Sequence, residues 1–186
     1  MNKFSHYISE DNIRRIVFLK SGKTAVIPKN GRNEEEAPGI LLFDNSLNLL
    51  AILDRNELFD GARLNVIELS DGRILTYGRS YYIKLWTSSG EFIEKWNNHF
   101  FVRKVFQLST GRIVSVSGSY FIIREATGTE IKLVEATEYP DFIKESFEEP
   151  NIGIVTVAGI NNKKEIWDLE GNLKFSTFSS ASCEKI

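Results

Sequence analysis

The 186-residue sequence predicts an all-β chain in which one four-stranded antiparallel unit is made four times. Three observations predict it. The first is composition: thirteen Phe, six Tyr and three Trp stand against four Pro and one Met, and aromatic side chains suit a pleated, half-buried surface. The second is the stretch Leu69 to Ile93, LSDGRILTYGRSYYIKLWTSSGEFI, in which short apolar runs are bounded by turns. Asp71-Gly72 and Ser89-Gly90 are turn signals because Gly adopts positive φ without steric cost. Between them, Arg73–Tyr77 offers Ile74 and Leu75. Tyr82–Thr87 sets Ile83 and Leu85 against Tyr82, Lys84 and Trp86, the period of two of a strand rather than helical spacing.

The third observation is recurrence. Leu42-Phe43-Asp44-Asn45-Ser46-Leu47 matches Leu85-Trp86-Thr87-Ser88-Ser89-Gly90, then Ile123-Arg124-Glu125-Ala126-Thr127-Gly128, then Ile166-Trp167-Asp168-Leu169-Glu170-Gly171. The equivalent positions 47, 90, 128 and 171 are 43, 38 and 43 residues apart. Upstream of each lies a second turn: Leu19-Lys20-Ser21-Gly22-Lys23, Leu69-Ser70-Asp71-Gly72-Arg73, Leu108-Ser109-Thr110-Gly111-Arg112 and a degenerate Glu149-Pro150-Asn151-Ile152-Gly153.

Taken in order, the units fall at about 10–54, 63–97, 101–137 and 141–179, all in one domain spanning 1–186. Each parses into strands A to D. The first holds Arg15–Lys20, Thr24–Pro28, Ile40–Asp44 and Asn48–Leu53. The second holds Asn65–Leu69, Arg73–Tyr77, Tyr82–Thr87 and Glu91–Trp96. The third runs Val102–Leu108, Arg112–Ser117, Tyr120–Glu125 and Glu130–Ala136. The fourth runs Phe142–Phe147, Gly153–Ala158, Lys164–Asp168 and Asn172–Phe178. Residues 1–9 are left over, and Lys3–Ser9 alternates Phe4, His6 and Ile8 against Ser5 and Tyr7, the pattern of one further strand that could latch an edge.

The pattern Leu-Ser-Asp-Gly-Arg-Ile-Leu, then Ile-Lys-Leu-Trp, then Gly-Glu-Phe-Ile resembles a WD-type β-propeller blade of the bacterial sort. The fourth unit supplies the dipeptide Trp167-Asp168 itself, and the resemblance extends from about Arg15 to Phe178. The Trp position holds Phe43 and Arg124 in units one and three, and no Gly-His dipeptide opens any unit. A four-stranded sheet with two apolar faces must stack on neighbouring copies, so Trp86, Trp167, Phe43 and the aliphatic residues of strands B and C are expected between sheets. Either a closed four-bladed ring or a half-ring completed by dimerisation satisfies that rule, giving a monomer or a homodimer.

Composition narrows function. Net charge is −2 and the isoelectric point is near 5.8, which gives no general attraction to nucleic acid or an anionic membrane. The single cysteine, Cys183, excludes an internal disulfide framework and a Cys-based zinc site. No signal-peptide pattern opens the sequence and no window is long and apolar enough to span a bilayer, so a cytoplasmic location is expected. Only two histidines occur, His6 and His99, and neither adjoins a nucleophile motif. No phosphate-binding loop, dinucleotide fingerprint or His-Glu-x-x-His is present. Asp44-Asn45-Ser46 and Asp168-Leu169-Glu170 read as turns held by local hydrogen bonds rather than as metal sites. No catalytic residue, metal or cofactor is therefore expected.

What remains is binding. In a propeller of the resembled family, the B–C and D–A connections share one face, which is the usual recognition surface. Two connections here exceed what joining strands requires: 29–39, carrying Glu34, Glu35 and Glu36, and 54–64, carrying Asp54, Arg55, Phe59 and Asp60. Such insertions are also tolerated on surfaces that bind nothing. Arg79, Tyr81, Phe100, Tyr139 and Asp141 complete the candidate set. Trp96, Phe101, Tyr120 and Phe142 are further aromatics near connections, some of them core by their alternation. From Glu135 to Glu149 six acidic residues stand against Lys144 alone. If that run joins Glu34–Glu36, the face is acidic and complements a basic protein. The expected function is non-enzymatic protein binding, in its sharper form an inhibitor or immunity protein that neutralises a cognate toxin or enzyme. The competing class is a small-ligand or carbohydrate-binding, or hydrolytic, propeller that uses its central depression.

Overall fold

The computed structural model describes residues 12–29, 39–54, 64–78, 80–136, 142–160 and 162–178. They form sixteen strands: β1 Ile13–Phe18, β2 Thr24–Pro28, β3 Ile40–Phe43, β4 Leu49–Leu53, β5 Asn65–Glu68, β6 Ile74–Tyr77, β7 Tyr82–Trp86, β8 Phe92–Asn97, β9 Lys104–Gln107, β10 Ile113–Ser117, β11 Tyr120–Arg124, β12 Glu130–Glu135, β13 Ile143–Glu149, β14 Gly153–Ala158, β15 Lys163–Trp167 and β16 Leu173–Phe178. The strands make four antiparallel sheets, each ordered as its strands follow in sequence, β1 to β4, β5 to β8, β9 to β12 and β13 to β16. The all-β class with four four-stranded blades is therefore what the chain has, and β2 and β14 begin and end where the sequence places them. Lys3–Ser9 lies outside the described residues. Among the described residues, no helix is long and apolar enough to cross a membrane.

The repeat is visible in backbone geometry. Leu47, Gly90, Gly128 and Gly171 all have positive φ, 65°, 92°, 91° and 79°. Each donates its N–H to the carbonyl three residues back, at 3.0, 3.0, 2.9 and 3.0 Å. Just before each turn the register slips by one residue, between Leu42 and Phe43, Leu85 and Trp86, Ile123 and Arg124, and Ile166 and Trp167. One residue of the last strand is thereby left unpaired in every sheet, a β-bulge that bends the strand. The A–B turns of the first three sheets share a second geometry, in which Gly22, Gly72 and Gly111 donate to Leu19, Leu69 and Leu108. The fourth differs: Ile152 donates to Glu149, and Asn151 takes the positive φ of 64° behind Pro150, the residue order of a type II turn.

Two compact units divide the chain, Met1–Val102 and Arg103–Ile186. In the first, Leu19, Ala25, Ile27, Ile40, Leu42 and Leu53 of sheet one bury against Leu64, Val66, Ile74 and Trp86 of sheet two. In the second, Leu108, Val114, Val116, Phe121, Ile123 and Val134 of sheet three bury against Ile143, Ile154 and Trp167 of sheet four. Both tryptophans thus sit between sheets, as expected. Each indole N–H is satisfied inside the core, Trp86 Nε1 by Thr76 Oγ1 at 2.9 Å and Trp167 Nε1 by Thr156 Oγ1 at 3.0 Å. Phe43 is also buried, with Val26 and Leu41, on the other face of sheet one. At the same position of sheet three, Arg124 is buried. It donates to the Gly128 carbonyl at 3.1 Å and stands 3.4 Å from Glu130, and burial holds its pKa below the usual arginine value.

Candidate interaction surface

The best-formed surface feature lies in the first unit, where β6 gives way to β7 and β8 leads out through Asn98 to Val102. Backbone hydrogen bonds tie the two connections together: Asn98 N–H to Tyr81 O at 2.7 Å and Val102 N–H to Ser80 O at 3.1 Å. The Asn98 side chain is buried, and its amide donates to the Phe100 carbonyl at 2.9 Å. Ser80 Oγ donates to Tyr82 O at 3.1 Å. On this frame Tyr81 and Phe101 stack with centroids 4.4 Å apart and planes tilted by 34°. His99 lies 6.4 Å from the Phe100 ring, and Lys95 Nζ stands 4.3 Å from the Tyr82 ring. Tyr81 is 47% exposed, Phe101 45% and Phe100 38%. Rings held open to solvent by a hydrogen-bonded frame are preorganised for contact, because little rotamer or loop entropy is left to lose.

Of the residues singled out in the sequence, Tyr81 and Phe100 are brought together here. Asp54 is not on the surface. It ends β4 with a φ of 56°, and its side chain is fully buried with Oδ1 2.7 Å from Lys84 Nζ, itself nearly buried. A buried charge removed from water survives only when paired, so this pair holds sheets one and two together and offers no partner a free carboxylate. Glu34, Glu35, Glu36, Arg55, Phe59, Asp60, Arg79, Tyr139 and Asp141 lie outside the described residues. Asn98 was not legible as part of the site. Its only sequence signal is the Asn97-Asn98 pair closing a strand, which marks a turn without revealing that the amide faces inward.

The acidic run from Glu135 to Glu149 does not stay together. Glu145, Glu148 and Glu149 belong to β13, and a seven-residue strand of about 3.3 Å per residue carries its two ends to opposite ends of the sheet. Glu148 and Glu149 line a cavity of about 340 Å³ at the turn end of the second unit, with Asp168, Glu170 and Lys174. Glu135 lies at the other end and accepts the Tyr120 hydroxyl at 3.2 Å, which raises the Tyr120 pKa.

The turn aspartates are committed locally. Asp168 Oδ1 accepts the N–H groups of Asn172 at 2.7 Å and Glu170 at 3.1 Å, and Oδ2 accepts the Asn172 side chain at 3.0 Å. Asp44 repeats the arrangement with Asn48 and Ser46. Hydrogen bonds from Asn172 and Asn48 hold both carboxyl groups below the usual range. These are the turns the sequence predicts. Among the described residues, no group of three or more His, Cys, Asp or Glu is placed to hold a metal. In comparisons with known proteins, no family model and no curated protein matches this chain.

Proposed function

We propose that the chain is a non-enzymatic, WD-like propeller module that binds another protein through the end of its sheets where the B–C and D–A connections emerge. The observation that carries this reading is the rigid, solvent-facing cluster of Tyr81, Phe100 and Phe101. Aromatic anchors on a fixed frame supply most of the energy of typical interfaces. The WD-like assignment draws on Trp167-Asp168 and on the indole-to-threonine bonds of sheets two and four. In its sharper form the module is a cytoplasmic inhibitor or immunity protein that neutralises one toxin or enzyme. Its partner is basic if Glu34–Glu36 share the binding face.

The test is co-purification from the native lysate with wild-type chain and with a Tyr81→Ala/Phe101→Ala double variant of matched circular dichroism. A stoichiometric protein that is retained by the wild type and lost by the variant is the expected result. Retention by both, or no stoichiometric partner for either, would overturn the reading.

A further inference from the structure

Four sheets of one pattern suggest four equal neighbours, but their side-chain links alternate. In the first unit Arg15 of β1 reaches across to Asn65 of β5, Nη2 to Oδ1 2.5 Å. In the second, Lys104 of β9, the equivalent position, donates to the Ser146 carbonyl of β13. Sheets two and four carry Asn65 and Glu145 at that position instead of a cation. The last residue of strand A alternates too. Glu68 accepts the Ser21 N–H at 2.7 Å, and Glu148 accepts the Ser109 N–H at 2.7 Å and its hydroxyl at 2.5 Å. In both cases the glutamate of an even sheet receives the A–B turn of the odd sheet before it. The same position in sheet three is Gln107, which donates to Gly111 of its own turn at 3.1 Å. In sheet one it is Phe18, 80% exposed.

A third link has no polar atom. A Cβ built on Gly90 would stand 2.3 Å from Ala51 Cβ, and one on Gly171 would stand 2.9 Å from Val134 Cγ2. Each even sheet thus lays its C–D turn directly on the last strand of the odd sheet before it. Gly90 and Gly171 are 81 residues apart, Trp86 and Trp167 likewise 81, and Glu68 and Glu148 80.

We infer that the repeating and cooperative unit of this protein is a pair of sheets about 81 residues long, made twice, in which Glu68 and Glu148 couple the two sheets of each pair. Opening of one pair then need not open the other, and each glutamate governs only its own pair.

Native-state hydrogen exchange, read by mass spectrometry on the full chain, tests this. Replacing Glu68 by Ala removes a charged acceptor from a partly buried N–H, a change that speeds opening about tenfold to a hundredfold. Faster exchange is expected in β1 to β8 with β9 to β16 unchanged, and Glu148→Ala should show the converse. Uniform acceleration along the chain by either variant, or acceleration by neither, would overturn the inference. Should an Ala variant fail to fold, Glu68→Gln and Glu148→Gln keep an acceptor oxygen while losing the charge. The same segregation is then required of them.

Discussion

Two tryptophans in the first unit experience opposite hydrogen-bonding environments. The buried Trp86 indole is satisfied by Thr76, whereas Trp96 Nε1 is buried with no hydrogen-bond partner among the described residues. Trp86→Phe strands the Thr76 hydroxyl and should cost about 1–3 kcal/mol. Trp96→Phe removes an orphan donor while keeping a ring, and should fall within about 1 kcal/mol of wild type. Urea titrations of the two variants compare them directly, and equal losses would show that Trp96 has a partner in solution. Asp168 gives a pH signature. Its carboxyl is depressed chiefly by the Asn172 N–H, so the folded state binds its proton more weakly than the unfolded chain does. The stability it contributes is therefore present above the unfolded value of about 3.9 and is lost as pH falls through the lower folded value. Asp168→Ala should melt below wild type at pH 7, and the gap should close as the pH is lowered beneath about 4. A gap independent of pH would show that the side chain acts by packing.

At the scale of elements, two glycines with nearly equal φ separate conformational strain from crowding. Gly111, at 86°, has no heavy atom within 4 Å of where its Cβ would lie, whereas Gly90, at 92°, would collide with Ala51. Gly111→Ala should cost about 1–2 kcal/mol for the left-handed backbone alone. Gly90→Ala should cost that and about 1–3 kcal/mol more for overpacking, with the excess recovered by adding Ala51→Gly. Thermal melts of the three variants check this, and failure of Ala51→Gly to recover any of the loss would place the crowding elsewhere. The strands themselves were legible because glycines and alternation punctuate them: Gly22, Gly72, Gly111 and Gly171 close turns where the sequence places them. What alternation cannot convey is whether a polar residue's face is covered. Lys84, Arg124 and Glu165 lie in strands with ordinary alternation, yet all three are buried. The counter-charge that makes Lys84 tolerable arrives from Asp54, thirty residues earlier and on another sheet. The fourth A–B turn is a different case, since Pro150 and Asn151 build it by another route and its match to the other turns was correspondingly weak.

For the molecule as a whole, the net charge of −2 is small enough that partner choice depends on where charges cluster rather than on their sum. Clustered charge and aromatic anchors act on different steps of association. Charges steer encounter and are screened by salt over about 10 Å at 0.1 M, while buried rings set the rate of departure. Once a partner is in hand, Tyr81→Ala/Phe101→Ala should weaken affinity by at least about thirtyfold, mostly in dissociation, at every ionic strength. Replacing Glu34, Glu35 and Glu36 by Gln should instead slow association at low salt and flatten its salt dependence, leaving dissociation nearly unchanged. Surface plasmon resonance at several salt concentrations separates the two effects. If the triple Gln variant keeps the full salt slope, the acidic insertion lies outside the binding face and the basic-partner proposal falls, while the aromatic surface stands or falls on the first comparison alone.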